Sequence, residues 1–409
     1  MRYLFLSVLL FIFLGASAKT IRVGAKRTFK TLQAGLKAAA DGDTLAVDAG
    51  HYREKNLAIR KRVVLKGTGL PVLDGENKYE ILSVYAGGVI IDGFKIIHSG
   101  VSSLDDLSGI KVYNCDNVIV KNNVLEDTFF GIYIQNGSKC TIINNQLTAT
   151  GVEEQQSGNG IHCWKSDSLR IIGNKVSGHR DGIYFEFVKN SVIFKNRAVN
   201  NMRYGLHFMF SNDDMYSANV FRNNGSGVSV MYSKRIKMLN NYFEENWGDA
   251  AYGILLKEIS DGLMEGNYFT RNTSDIYMDG ANRIQMTKNT FKDNGWALKI
   301  QASCMDVTLE RNNFIGNTFD VGTNGSLVLN TFKNNYWDKY EGYDLDKDKI
   351  GDIPFRPVSM FSMIVEKFPA AMILFRTFIT TLLDKTEKIL PSLTPENLRD
   401  NEPLMNKAF

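Results

Sequence analysis

A column of asparagines restricts this chain to a stack of short repeated units. Asn123, Asn145, Asn174, Asn196, Asn219, Asn241, Asn267, Asn289, Asn312 and Asn330 recur at near-regular intervals. A second column, through Gly109, Gly131, Gly160, Gly182, Gly205, Gly227 and Gly253, advances in steps of 22, 29, 22, 23, 22 and 26 residues and repeats the first column's pattern. Two residues after the asparagines stand Leu125, Leu147, Val176, Ala198, Phe221, Phe243, Phe269, Phe291, Phe314 and Phe332. A polar residue and an apolar one kept at a fixed offset through ten units describe coils lying on one another.

A leucine-rich repeat has a similar period but needs an LxxLxL frame and a helix or 3₁₀ turn in each unit, and neither is present. Each unit instead holds short β-branched alternations, such as Gly131-Ile-Tyr-Ile and Thr141-Ile-Ile, broken by Asn and Gly. The expected fold is all-β, a right-handed parallel β-helix in which stacked Asn side chains bond one another and the turn backbone while the Phe column fills the interior. Upstream, Phe29, Leu32, Leu36 and Ala39 fall at helical spacing, as for a helix that caps the open end of a solenoid.

Both ends of the chain break the repeat. Arg2, the apolar run Tyr3 to Leu14 and Gly15-Ala16-Ser17-Ala18 read as an export signal over residues 1–18, cleaved after Ala18. The run is shorter than the ~20 apolar residues of a membrane span. Residues 19–50 form the cap and first strand, 51–335 the β-helix, 336–358 an acidic and aromatic loop segment, and 359–409 an amphipathic helical tail. In the loop, Asp344, Asp346, Asp348 and Asp352 alternate as calcium-loop ligands do. Lys349, however, occupies the position where that pattern wants Gly, and no Glu closes it. Calcium binding and a solvated acidic turn both remain open. The tail is rich in Met, Phe, Ile and Leu but interrupted by Glu366, Lys367, Pro369 and Arg376. Docking on a partner or peripherally on a membrane surface is preferred over packing on the chain's own solenoid, with Met360, Phe361, Phe368 and Phe375 as the docking residues.

The 48 Lys and Arg nearly balance the 44 Asp and Glu, so no concentrated basic surface marks a nucleic-acid partner. Of the four cysteines, Cys140 and Cys163 fall at apolar repeat positions, and Cys115 and Cys304 are far apart along the stack. Buried free thiols are expected rather than disulfides.

Counting from each repeat glycine, the first and third residues face inward and the second and fourth outward. The inward test is met by Ile110, Ile132, Ile161, Ile183, Leu206, Val228 and Ile254. The outward second residues are Lys111, Tyr133, His162, Tyr184, His207, Ser229 and Leu255, and the fourth are Tyr113, Gln135, Trp164, Glu186, Met209, Met231 and Lys257. With coils about 4.8 Å apart, His207, Met209, Met231 and Glu186 become neighbours. Outward methionines have no packing reason unless something covers them, whereas thioether and imidazole together suit Cu(I). His162 stands about 9.6 Å from His207, at second-shell distance, and Met215, with His179 and Met202, is close along the chain. A protein interface, or burial beneath the long insertion before Gly160, is the competing explanation for these side chains.

Three stretches, Gly205-Leu-His-Phe-Met-Phe-Ser-Asn-Asp-Asp, Gly182-Ile-Tyr-Phe-Glu-Phe, and Tyr340-Glu-Gly-Tyr-Asp-Leu-Asp with Gly351-Asp-Ile-Pro-Phe-Arg-Pro-Val-Ser, resemble the NosD family of nitrous oxide reductase maturation proteins. The resemblance spans nearly the whole mature chain. Its β-helix part is shared with many pectin-lyase-like proteins, and the Trp337 to Met360 block is the more specific. The resemblance implies a periplasmic protein, not an enzyme, that works with an ABC transporter permease and its ATPase subunit. It further implies receipt of copper from a small copper chaperone and support for assembly of the copper-sulfide centre of nitrous oxide reductase, with copper or sulfur as cargo. The G-x-H-x-M motif carries over to His207 and Met209; Met231 and Glu186 are added from the geometry above. The tail would dock on the transporter's membrane subunit, and ATP would be used elsewhere, since the chain has no phosphate-binding G-x-x-x-x-G-K-[ST] loop. The rival from another class is a polysaccharide lyase, hydrolase or epimerase. Hydrolysis would need two carboxylates about 5–10 Å apart, and the outward columns offer only Glu186 and Asp279, about 19 Å apart.

Overall fold

The computed structural model describes residues 18–102, 104–151, 153–325, 330–389 and 398–409. The expected export signal, save Ala18, lies outside them. The described chain winds into a parallel β-helix. Its three sheets, of 14, 12 and 13 strands, each take one strand from successive coils, and every strand pair is parallel. The wall that matters below is the 12-stranded sheet, which includes Phe130–Gln135, Ile161–Trp164, Ile183–Glu186, Tyr204–Met209 and Ser226–Met231.

The inward residues of this wall, from Ile110 to Ile254, are fully buried, as the alternation requires. The repeat glycines sit where the wall begins and the interior is already full. A Cβ on Gly205 would lie 2.7 Å from the Gly227 carbonyl oxygen and 2.8 Å from the Phe221 ring, closer than real Cβ atoms come. The Phe column stacks face to face, with ring centroids 5.3 Å apart for Phe221 and Phe243, 4.6 Å for Phe243 and Phe269, and 5.0 Å for Phe269 and Phe291.

The asparagines occupy the second position of two-residue turns joining the 14- and 13-stranded sheets. Asn219 is representative. Its Nδ2 donates to Asn241 Oδ1 and to the Ile193 carbonyl, both at 3.0 Å, and its Oδ1 accepts from the Asn196 amide at 2.8 Å. Every ladder rung is therefore satisfied without water.

The last rung differs from the sequence reading. Asn330 accepts from Val307 N in another turn, and Phe332 pairs with Leu309 in the 14-stranded sheet. The ladder instead ends on Asn335, whose Oδ1 accepts from the Asn312 amide at 3.0 Å, and the ring column ends on Trp337, 4.0 Å from Phe314. Asn330-Thr-Phe332 mimics the Asn-x-Phe spacing five residues early. Beyond it, the buried Asp400 takes over the acceptor role, with Oδ2 2.9 Å from Asn335 Nδ2 and 3.1 Å from Trp337 Nε1. The end of the expected helical tail thus returns to close the stack.

At the other end, the helix Leu32–Ala38 buries Leu32 over the first coil, capped by Thr31 and by Glu54, which accepts from the Leu32 and Gln33 amides. The C-terminal helices are Met360–Lys367 and Phe378–Ile389, joined by a 3₁₀ segment, Pro369–Leu374. Among the described residues no helix is long and apolar enough to cross a membrane. All four cysteines are buried and free.

Candidate metal site on the outer wall

Register places the expected ligands side by side. Glu186, Met209 and Met231 are successive partners across three strands, and His207 lies between Tyr184 and Ser229. Glu186, Met209 and Met231 are partly exposed, but His207 is only 5% exposed although it faces outward.

The cover over His207 comes from its neighbours on the wall. The rings of Tyr184 and Tyr204 each stand 4.8 Å from its imidazole. Arg203 ties this coil to the insertion through Glu154, 3.2 Å away, and reaches back to Asp181 at 3.8 Å. His207 is thus buried on an outward-facing position by the rings beside it.

Asp181 fixes the tautomer of His207. Its Oδ2 lies 3.3 Å from His207 Nδ1, and its Oδ1 accepts from the Tyr204 amide. A carboxylate only accepts here, so Nδ1 carries a proton, and in the neutral ring the Nε2 lone pair is free. That Nε2 is buried and has no partner, and neither has the Ser229 hydroxyl beside it on the next coil. A buried orphaned nitrogen on a wall whose register carries two thioethers offers the donor types that suit a soft monovalent copper ion. Tyr184 donates its hydroxyl to Met209 Sδ at 3.6 Å. Burial, with the nearby Glu186 and Asp181 carboxylates, holds the Tyr184 phenol above its ordinary value, so it remains a donor.

His162 differs from His207. Its ring is 4.9 Å from Tyr184, which stands between the two histidines, and its Nδ1 faces Asn159 Nδ2 at 3.0 Å. The amide donates, so the Nδ1 lone pair is used and Nε2 carries the proton. Burial, with Arg180 and Lys111 adding to it, pushes the His162 imidazole down to about 3. It is a neutral packing partner at two coils' distance. Met215 falls on Met215–Ser217 in the 14-stranded sheet, so its closeness to His207 along the chain does not bring it onto this wall. His179 is fully buried and Met202 lies near Gly151 under the insertion.

The sequence reading missed the corner beside the site. The fifth residue after each repeat glycine has a positive φ: Asn114, Asn136, Lys165 and Glu258 in four coils, but Phe187, Phe210 and Tyr232 in the three that carry Glu186, Met209 and Met231. Their φ values are 53, 52 and 52°, where bulky side chains are uncommon. They stack 5.1 Å apart and stay 39–45% exposed. Three aromatic residues replacing turn-formers were readable from the repeat alignment itself.

The acidic loop brings Asp344, Asp346 and Asp348 oxygens within 4.8 Å of one another, while Asp352 accepts from the Leu345 amide. Among the tail residues, Phe361 is 4% exposed, clustered with Trp296 and Phe319, and Phe375 packs on the same cluster. Those two side chains are used on the chain's own solenoid, and Lys299 pairs with Glu366 at 2.9 Å to hold the helix there. Met360 is partly buried, with its amide donating to Glu387. The apolar surface left open is Phe368, Ile373, Phe378, Ile379 and Leu382. Glu186 and Asp279 share one column but lie four coils apart, about 19 Å, too far to act on one glycosidic bond.

A family model described as periplasmic copper-binding protein (NosD) matches residues 144–342, and a right-handed β-helix model matches residues 73–176. A probable ABC transporter binding protein NosD of Pseudomonas aeruginosa is 27% identical, over 91% of this chain and 90% of the relative. A protein of the same description from Stutzerimonas stutzeri is 24% identical, over 87% and 85%. Among solved structures, an alginate lyase in complex with a trisaccharide superposes with a TM-score of 0.63 at 12% identity, over 81% of this chain and 89% of the lyase, a likeness of fold alone. Matched by the family's model along the wall that holds His207, and nearly end to end by two relatives of that name, the chain is similar to the NosD family.

Proposed function

We propose that this protein is the periplasmic accessory protein of an ABC transporter system and hands copper, as Cu(I), across its outer wall for assembly of the copper-sulfide centre of nitrous oxide reductase. His207 Nε2 and the thioethers of Met209 and Met231 are the ligands, with Glu186 at the rim. Copper is cargo here. A partly exposed pair of thioethers beside a buried imidazole gives an ion a few soft donors and an open side from which a partner can take it. The observation that carries this reading is the orphaned, Asp181-oriented Nε2 of His207. The ladder Phe187, Phe210 and Tyr232 supplies the apolar surface on which the copper chaperone or the reductase seats beside the ion. The open side chains of the tail, Phe368 among them, meet the permease, whose ATPase subunit supplies the energy.

The test is an anaerobic titration of the mature protein with Cu(I) against a competing chelator, beside His207→Ala combined with Met209→Ala. Stoichiometric binding that disappears in the double variant supports the reading. If neither protein competes for copper, the wall is no autonomous copper site, and the protein acts as a transporter-coupled scaffold.

A further inference from the structure

The chain has only five histidines, and two of them converge on one carboxylate far from the wall described above. His51 lies on the strand His51–Tyr52, Asp74 ends Val72–Asp74, and His98 follows Lys95–Ile97, so three successive coils of the 13-stranded sheet contribute one side chain each. His51 Nε2 is 2.9 Å from Asp74 Oδ2, and His98 Nδ1 is 3.2 Å from Asp74 Oδ1. The Asp74 side chain is 10% exposed and also accepts from the Glu76 amide, whereas the two imidazoles are 45% and 40% exposed. Backbone pairing fixes the coils, and the left-handed turn at His98, φ 55°, sets its ring over the carboxylate.

The geometry points to a second metal site, formed by His51, Asp74 and His98, for a borderline divalent transition ion, Zn(II) or Cu(II). Two donors about 2.0–2.1 Å from a tetrahedral ion are about 3.3–3.4 Å apart. Each imidazole nitrogen is already 2.9–3.2 Å from an Asp74 oxygen, but the three donor atoms do not all lie within 4.8 Å of one another, so the two rings must swing toward each other. The ion takes the place of the two protons now directed at the carboxylate. Each ring moves its proton to its other nitrogen and loses one to solvent if that nitrogen is already protonated, so affinity falls as pH falls. Two imidazoles and a carboxylate favour Zn(II) or Cu(II) over Cu(I), which separates this site from the thioether wall. The exposed rings supply the adjustment needed to bring both onto one ion.

The test uses the mature protein without a histidine tag. Zn(II) is titrated against a chromophoric chelator, and Cu(II) is followed by electron paramagnetic resonance, for wild type, His51→Ala, His98→Ala, the His51→Ala and His98→Ala double variant, and Met209→Ala. The expected result is one equivalent held by wild type and Met209→Ala, at least tenfold weaker in each single variant and lost in the double, with nitrogen hyperfine structure that disappears alongside it. If wild type and the double variant bind the same number of equivalents with the same affinity, the proposal is overturned and the three side chains are a surface clasp between coils. Asp74→Asn guards against misfolding. It keeps one acceptor oxygen, and at unchanged thermal stability it must still weaken Zn(II) binding.

Discussion

Asp181 stands one coil before His207 and receives its Nδ1 proton at 3.3 Å, so the residue that determines which imidazole nitrogen is free is itself no ligand. Replacing Asp181 with Asn leaves the volume unchanged but offers an amide that can donate to Nδ1 and push the proton to Nε2. Loss of such an outer partner costs about 10–100-fold in metal affinity. Asp181→Asn should lower Cu(I) affinity by that factor in a competitive titration with an unchanged circular dichroism spectrum; equal affinity would sever the link between the carboxylate and the site.

The corner aromatics should be expendable for folding and needed for association. Phe187→Asn, Phe210→Asn and Tyr232→Asn together remove stacking worth about 0.5–1.5 kcal/mol per pair, but they install residues that tolerate positive φ. Thermal unfolding of the triple variant should stay within a few degrees of wild type, while recovery of the transporter or the copper-donating partner with it is lost. A large loss of stability would mean that the ladder is structural.

Buried Phe269 stacks on Phe243 and Phe291. Phe269→Ala should cost about 3–5 kcal/mol, read from denaturant unfolding, because rigid coils cannot collapse into the space.

Asn219→Leu conserves bulk but strips partners from the Asn196 amide and the Ile193 carbonyl. At about 1–3 kcal/mol for each buried orphan, it should destabilise by several kcal/mol, comparably to the cavity variant although it adds an apolar group.

Asp214 gives the pH dependence. Burial pushes its carboxyl up to about 8, and its Oδ2 has no partner while Oδ1 accepts from the Ser191 amide. The unfolded chain ionises this group in the ordinary carboxylate range, whereas the folded chain keeps the proton until about pH 8. Its cost to stability therefore grows as pH rises from about 4 to 8, at roughly 1.4 kcal/mol per unit, and vanishes in acid. Asp214→Asn should raise the melting temperature at pH 7 and change it little at pH 4; a gain independent of pH would contradict this account.

The repeat exposed the fold because its constraints are local and recur in every coil: a glycine where the interior leaves no room for Cβ, an asparagine where a turn needs four bonds, and an apolar side chain two residues later. The same logic placed Glu186, Met209 and Met231 in one column. It failed at Asn330, where an unrelated turn carries the same triplet, and the closure by Asp400 could not be seen because that residue joins the ladder from 65 residues away. For His207 the sequence left burial and a ligand role as alternatives, since strand alternation tells which way a side chain points and nothing of what packs across it. The clasp of His51, Asp74 and His98 escaped because its members belong to no column and meet only when three coils are superposed.

The asparagine ladder has one further consequence. Since every rung repeats its neighbour's bonds, coil number works as a ruler. From the strand Tyr204–Met209 to Phe319–Gly322, against which the C-terminal helix packs, is five steps, about 24 Å. Inserting or excising one whole coil would alter that span by about 4.8 Å and leave the residues at either mark untouched, so the distance from the His207 wall to the C-terminal helices is a length the chain can change in fixed increments.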